Sequence, residues 1–179
     1  MTGQELAADR IRFLRGLRAV RQFEPTPVPE QALEDILDVA RWSGSSRNRQ
    51  PWELVVIRDR ETLNALGAAG GYVRHLSEAP LAIVLVMAGE SPEEEIYDEG
   101  RLSERIMLAA AAHGLGACIG WFNDEGVATA KSLLGVPEQR RLRTAISVGY
   151  PAPGWRAGRG QGGAARKPLA EIVRHERYS

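Results

Sequence analysis

The chain has 179 residues, with 23 Lys and Arg against 23 Asp and Glu and a hydrophobic share of 44%, which is the composition of one globular domain. This balance excludes a disordered, collagenous or coiled-coil chain, and the zero formal net charge argues against a nucleic-acid-binding protein. The longest apolar run, residues 79–89, is about half of the ~20 residues that a membrane helix needs. The single cysteine, Cys118, cannot close an intrachain disulfide. We therefore expect a soluble, cytoplasmic protein without a membrane span.

The first half of the chain carries helical and extended patterns in turn. Apolar residues at spacings of three and four predict an amphipathic helix over residues 4–17, and three prolines at 25, 27 and 29 predict an extended connector after it. A second apolar stripe predicts a helix over residues 30–43. A polar loop then leads to a predicted buried strand at 52–57 and a short helix at 62–69.

The second half begins with a nearly continuous apolar run at 81–87, typical of a strand covered on both faces, so we expect helices on both sides of a sheet. Ser91 followed by proline and Glu94 predicts a capping box at the start of a long central helix that ends near His113. The remaining predicted elements are a strand at 117–122, a helix at 124–134 and a strand at 144–149.

The C-terminal part lacks a regular apolar period. We expect a mobile glycine-rich loop over residues 151–165 and a polar tail from 167 to 179, whose few apolar residues need another surface to pack on. A partner subunit is the natural candidate. No repeat or change in composition marks a second domain, so we predict one α+β domain over residues 1–179.

Several groups that could carry chemistry have simpler interpretations. The sequence Gly114-Leu115-Gly116 follows a predicted helix and precedes a strand, the reverse of the order in a dinucleotide-binding motif. His75, His113 and His175 have no partner at metal-ligand spacing and are interpreted as surface or capping residues. Cys118 is interpreted as a buried, inert thiol, and the acidic residues 93–99 as the charged first turns of a helix.

Basic and polar groups at three places suggest one ligand. Arg18 and Arg21 follow the first helix, residues 45–50 form a polar loop, and Arg166 and Lys167 follow the glycine-rich loop. Guanidinium groups suit phosphate because they are permanently charged bidentate donors, and amides can donate to and accept from a heterocycle edge. Each group alone is also typical of a solvated surface; together they indicate a phosphorylated heterocycle.

The chain resembles the nitroreductase family of flavoproteins. The motif Arg18-Ala19-Val20-Arg21-Gln22-Phe23 with Pro27-Val28-Pro29, and the segment Ala40-Arg41-Trp42-Ser43-Gly44-Ser45-Ser46-Arg47-Asn48-Arg49-Gln50-Pro51-Trp52, are similar to motifs of that family. Gly114-Leu115-Gly116 and Arg166-Lys167-Pro168-Leu169 agree in the same order. The resemblance covers about residues 10–177. It implies a mixed, mostly antiparallel sheet flanked by helices, in a homodimer whose C-terminal tail is exchanged with the partner.

The resemblance also implies FMN as cofactor, with NADH or NADPH as co-substrate. Arg18, the Ala19 backbone, Arg166 and Lys167 would hold the phosphate, and Arg21 would lie near the pyrimidine edge of the flavin and stabilise its negative charge when reduced. The backbone of Ile119 and Gly120 would approach the reactive nitrogen. The loop residues assigned to the flavin, often across the dimer interface in this family, are Ser45, Ser46, Asn48 and Gln50.

The implied activity is hydride transfer from NAD(P)H through the flavin to an electron-poor acceptor, such as a nitroaromatic, a quinone or an activated alkene, by a ping-pong mechanism. Trp121 or Phe122 would wall the acceptor pocket or pack in the core. Leu17 and Ala19 replace the usual Arg and Ser of the family, which would weaken the phosphate site unless Arg15 compensates.

Two alternatives stay open: a specialised relative, such as a dehalogenase or azoline oxidase, and a flavin-binding regulatory or storage protein. A module that binds no flavin would require the loop motif to match by accident.

Overall fold

The computed structural model describes residues 2–155 and 166–178. Six α-helices and four β-strands lie within them, and all but the last helix, which falls in the tail where none was predicted, are close to the predicted positions. Their bounds are α1 Gly3–Gly16, α2 Glu30–Arg41, β1 Trp52–Ile57, α3 Arg60–Ala68, β2 Leu81–Met87, α4 Pro92–Ala112, β3 Gly116–Trp121, α5 Asp124–Leu134, β4 Arg141–Gly149 and α6 Leu169–Ile172. The mobile loop predicted over residues 151–165 falls largely outside the described residues.

The four strands form one antiparallel sheet in the order β1-β2-β4-β3. Every residue of β2 is buried, and alternate side chains of this strand enter two different cores. Leu81, Ile83 and Leu85 pack with α2 and α4 on one face, whereas Ala82 and Val84 pack with α3 and α5 on the other. The predicted arrangement of helices on both sides of a sheet is confirmed.

Two strands differ from their prediction. Strand β1 is an edge strand in which only Ile57 is fully buried, because it has a hydrogen-bonded neighbour on one side alone. Strand β4 begins at Arg141, three residues before the predicted start, and continues the pairing with β2 past a register shift at Leu85 and Val86. The charged residues at the start of β4 hid this extension from the hydropathy pattern.

The start of α4 uses a different cap from the predicted box. The Ser91 side chain makes no capping hydrogen bond, and Glu94 forms an ion pair with Arg49. Instead, the Glu95 carboxylate accepts from the backbone N–H groups of Gly89, Glu90 and Ser91 at 2.9–3.2 Å. The turn that joins β2 to α4 is therefore tied to the helix through one buried carboxylate.

The acidic residues lie in the first turns of α4 as predicted, but three of them are buried, which the sequence did not indicate. Glu95, Asp98 and Glu99 are buried, and Arg141 donates to both Glu95 and Glu99. Burial raises the pKa of Glu95, but its hydrogen bonds from the backbone and Arg141 outweigh burial and lower that pKa below 4.5. Only the tertiary structure supplies this cation, since Arg141 lies on β4.

Helix α1 and the tail leave their apolar side chains without a cover. None of the residues of α1 is buried, and Ile11 and Leu14 remain 54% and 51% exposed. Leu169 and Ile172 of α6 are also exposed. In the described ranges no helix combines the length and the apolar character needed to cross a membrane.

We predict that Glu95→Gln lowers the free energy of unfolding by about 2–4 kcal/mol at pH 7, because a buried charged acceptor of several hydrogen bonds is lost. The lowered pKa of Glu95 means that its contribution is present above pH 4.5 and is lost as the pH falls through the folded-state pKa. Urea unfolding at pH 7 and at pH 3 measures both effects. Glu93→Gln, on the exposed side of the same turn, should change little; equal losses in the two variants would contradict the assignment.

Candidate functional site

The outer edge of β3 is covered at two positions and open between them. The Ala117 carbonyl accepts from Val20 N–H at 2.9 Å, and the Trp121 carbonyl accepts from Tyr72 N–H at 2.7 Å. Backbone groups of alternate residues in an antiparallel strand point to the same side, so those of Ile119 also face this edge. The residue after Trp121 confirms this alternation, because the Phe122 N–H points to the opposite side and donates to the Arg143 carbonyl of β4. The backbone N–H of Ile119 therefore faces the outer edge of β3, in the uncovered stretch between Ala117 and Trp121.

A first pocket of about 570 Å³ adjoins this gap and is called the arginine pocket. Its lining combines three arginines with apolar side chains and one carboxylate, that of Glu104. The lining residues are Leu14, Arg15, Leu17, Arg18, Ala19, Glu104, Met107, Ile119 and Arg166. Three predicted phosphate ligands therefore meet here, although they come from the connector after α1 and from the tail. Arg15, the suggested substitute for a missing guanidinium, lines the same pocket.

A second pocket of about 540 Å³ lies on the other side of Ile119 and is called the Tyr72 pocket. Its lining residues are Arg21, Gln22, Gly71, Tyr72, Arg74, His75, Glu78 and Ile119. Because Ile119 lines both pockets, a ligand can extend from Arg18 and Arg166, past the open backbone position, to Arg21. Along this path, the cations of Arg18 and Arg166 come first, the backbone N–H of Ile119 follows, and the cation of Arg21 comes last.

The predicted loop residues do not join these pockets within one chain. Ser46 and Gln50 line a third cavity of about 230 Å³, beside the start of α4. The loop is held locally, since Gln50 N–H donates to Ser45 Oγ at 2.8 Å and Ser46 N–H donates to Asp98. Asn48 and Gln50 have positive φ angles of 55° and 50°, a conformation in which asparagine is enriched.

The other predicted site residues take different positions. Gly120 is buried in the ladder opposite Ala145, so its backbone points to β4 and not to the open edge. Lys167 is exposed and outside the lining of the arginine pocket. Phe122 is fully buried in the core, whereas Trp121 is 47% exposed beneath the guanidinium of Arg143. Of the two aromatic candidates, only Trp121 remains available to a ligand.

Sequence reasoning missed His75, which is 7% exposed and is neither a surface nor a capping residue. Its Nδ1 atom lies 2.8 Å from Ser147 Oγ, and its Nε2 atom is buried with no hydrogen-bond partner among the described residues. A methyl group at Gly120 would lie 2.9 Å from Nε2, so glycine makes room for the ring. His75 lies within a short 3₁₀ helix, Arg74–Glu78, and its place in the sequence gave no signal of this contact with Ser147.

Burial, followed by the positive charge of Arg21, lowers the pKa of His75 from 6.5 to about 4, against backbone groups of Tyr72 and Ile119 that raise it. His75 is therefore neutral at physiological pH. Burial also raises the pKa of the Cys118 thiol, which agrees with the interpretation of an inert thiol. His113 pairs with Asp35 at the end of α4, in the capping position expected of it.

The sequence model of the Nitroreductase family matches residues 14–69 and 65–150, which together make up most of the chain. The chain belongs to the nitroreductase family. Among solved structures, it is similar to an FMN-dependent nitroreductase from Clostridium difficile R20291, with a TM-score of 0.82, 27% identity and coverage of 94% of this chain and 99% of that chain. The resemblance inferred from the motifs is thereby confirmed.

Two named relatives extend the comparison. A NADH dehydrogenase of Thermus thermophilus is 29% identical over 174 residues, which covers 75% of this chain and 83% of that protein. Nitroreductase NfnB of Mycolicibacterium smegmatis is 27% identical over 202 residues, which covers 82% of this chain and 84% of that protein. The α+β fold predicted from the sequence is the fold of this family.

We predict that the neutral, buried His75 makes the protein less stable as the pH falls. Its pKa is lower in the folded state than in the unfolded state, so the unfolded state gains protons first and stability is lost between pH 6.5 and about 4. A difference of this size corresponds to about 3 kcal/mol. His75→Asn, which can keep the hydrogen bond to Ser147, should reduce this loss, as measured by urea unfolding at pH 7, 6 and 5.

His175→Asn is the matched control, because His175 lies exposed in the tail. Its pH dependence should equal that of the parent protein. An unaltered pH slope in His75→Asn would show that His75 is not held neutral by the fold.

Proposed function

We propose that the protein is an FMN-dependent oxidoreductase that transfers hydride equivalents from NADH or NADPH to an electron-poor acceptor. The observation that carries this proposal is the path from Arg18 and Arg166, past the open backbone position of Ile119, to Arg21. Its two ends match a phosphate and the pyrimidine edge of a flavin in chemical type. The named relatives support the same class of reaction.

The residues of the arginine pocket fit a phosphate group. Arg18 and Arg166 are exposed, and neither has a carboxylate partner within the described residues, so both guanidinium groups can donate to an anion. The Arg18 side chain already donates to the carbonyls of Arg15 and Leu17, which restrains its position before a ligand binds. Arg15 offers a further cation where Leu17 and Ala19 have removed one guanidinium and one hydroxyl.

The remaining donors suit the ring of a flavin. The Ile119 N–H is fixed by the strand and can donate to a ring nitrogen without any rearrangement of the chain. Arg21 lies in the next pocket, where its positive charge would stabilise negative charge at the pyrimidine edge. Bound FMN would supply the two-electron chemistry that the side chains of this site do not offer.

We propose a homodimer of a single domain that spans residues 1–179. The uncovered apolar residues of α1 and α6 need a surface to pack on, and the loop of Ser45, Ser46, Asn48 and Gln50 does not reach the two joined pockets of its own chain. A second copy would answer both requirements, with its loop placed over the flavin of the first and its tail exchanged. We place the dimer in the cytoplasm, where the Cys118 thiol stays reduced.

The overall reaction takes one hydride from NAD(P)H and one proton from the solvent. With a quinone it yields hydroquinone and NAD(P)⁺; with a nitroaromatic, one N–O bond breaks and the products are a nitroso compound, water and NAD(P)⁺. Nicotinamide and acceptor would occupy the Tyr72 pocket in turn, which is a ping-pong order. The chain's own contribution is to orient both molecules against Ile119 and to hold the charge at Arg21.

The first experiment is a visible spectrum of the purified protein, followed by anaerobic addition of NADH or NADPH. We expect a flavin band that bleaches and then recovers when a quinone or nitroarene is added. A protein that binds FMN but is not reduced would favour the regulatory or storage alternative. A protein that takes up no FMN would contradict the cofactor assignment.

We predict that Arg166→Ala weakens FMN binding by about 1.5–3 kcal/mol, or roughly ten- to hundredfold, through the loss of a charge-assisted phosphate contact. Quenching of FMN fluorescence on titration with the apoprotein measures the affinity. Arg174→Ala removes another tail arginine, one that donates only to local carbonyls. Equal affinities in the two variants would argue against a phosphate at the arginine pocket.

A further inference from the structure

The outer part of the Tyr72 pocket carries a cation that the proposed flavin site does not use. Arg21 is assigned to the flavin, and the same lining holds a second, exposed arginine, Arg74, together with Tyr72, which is 77% exposed. The pocket also contains one carboxylate, Glu78, which makes no ion pair with Arg74. An exposed aromatic residue and an available guanidinium thus line the same pocket.

The fold holds both side chains outward. Tyr72 N–H donates to Trp121 at 2.7 Å, and Gly71 forms a bridge with Phe122, so the segment is fixed to the end of β3. Val73 and Leu76 are fully buried in the core behind it. Tyr72 and Arg74 alternate with these buried neighbours and are both exposed.

The guanidinium of Arg74 is not held in an ion pair, unlike those of several other arginines in the described ranges. Eight arginines in the described ranges form ion pairs with carboxylates, among them Arg143, which pairs with Asp124 and stacks on Trp121 beside the same strand. Arg74 has no carboxylate within ion-pair distance in those ranges. His75 next to it is neutral and adds no competing charge. The guanidinium of Arg74 is available to an anion from outside.

We propose that the acceptor of this enzyme is an aromatic molecule that bears an acidic group, with its ring on Tyr72 and its carboxylate or sulfonate on Arg74. This inference rests on the proposed function, because it places the reducible group of the acceptor toward Ile119. A guanidinium suits the assignment because it binds a carboxylate through two parallel hydrogen bonds and also tolerates an aromatic neighbour.

The test compares 4-nitrobenzoate with its neutral analogue 4-nitrobenzamide in the FMN-loaded protein. The measured quantity is the ratio of kcat/KM for the acid to kcat/KM for the amide, in the parent protein, in Arg74→Gln and in Arg74→Lys. Intrinsic differences in reducibility between the two compounds cancel when the ratios of variants are compared. We expect Arg74→Gln to lower the ratio at least about tenfold, as for one lost charge-assisted contact, and Arg74→Lys to lower it less.

Arg58→Gln is the control, since Arg58 pairs with Glu30 away from both pockets and its loss changes the net charge equally. It should leave the ratio unchanged. An equal fall in Arg58→Gln and Arg74→Gln would overturn the inference, because it would reflect net charge alone. A ratio that Arg74→Gln leaves unchanged overturns it too, while reduction of both acceptors would still support the proposed function.

Two further measurements separate the remaining outcomes. Flavin absorbance changes on titration with each compound report binding without turnover, and the acid should bind more weakly to Arg74→Gln while the amide does not. If Arg74→Gln instead slows only reduction by NADPH relative to NADH, Arg74 binds a phosphate of the nicotinamide and the acceptor assignment is overturned. A protein that binds no FMN would overturn the proposed function and this inference together.

Discussion

The site depends on a constraint of the backbone, namely that a strand at the edge of a sheet must have its outward N–H and C=O groups covered or offered to a ligand. Strand β3 is such an edge. Val20 covers it at Ala117 and Tyr72 covers it at Trp121, so Ile119 is left between two fixed segments. The residues before Val20 line the arginine pocket, the residues after it join the segment of Tyr72 in lining the Tyr72 pocket, and Ile119 lines both.

Small residues make this cover possible. A side chain at Gly116 would collide with Val20, and one at Gly71 would collide with the Trp121 carbonyl, so the two covering segments approach the strand only because these positions have no Cβ. The absence of a Cβ at Gly120 likewise makes room for the His75 ring. The neutral imidazole and Ser147 then fill the space behind the open position without adding charge to it.

Charged groups are divided between two tasks. Around the start of α4, Arg141 pairs with Glu95 and Glu99 in the interior, and these contacts tie the helix to β4. Around β3, Arg18, Arg21 and Arg74 lie at pocket walls without carboxylate partners in the described residues. Arg141 therefore has a structural role because the chain supplies its carboxylate partners, whereas the three arginines at the pocket walls are available to a ligand.

The sequence by itself determined the family, the α+β class, the position of most helices and strands and the basic residues at the arginine pocket, because apolar periodicity and short motifs are local signals. The extension of β4 and the burial of Glu95, Asp98 and Glu99 depended on residues distant in sequence, such as Arg141. The same holds for His75, which contacts Ser147 across 72 positions of the chain. Only the tertiary structure decided that Ile119 is the open position and that Tyr72 and Arg74 share a pocket with it, since strand phase and the approach of separate segments are set by packing and not by any one stretch of residues.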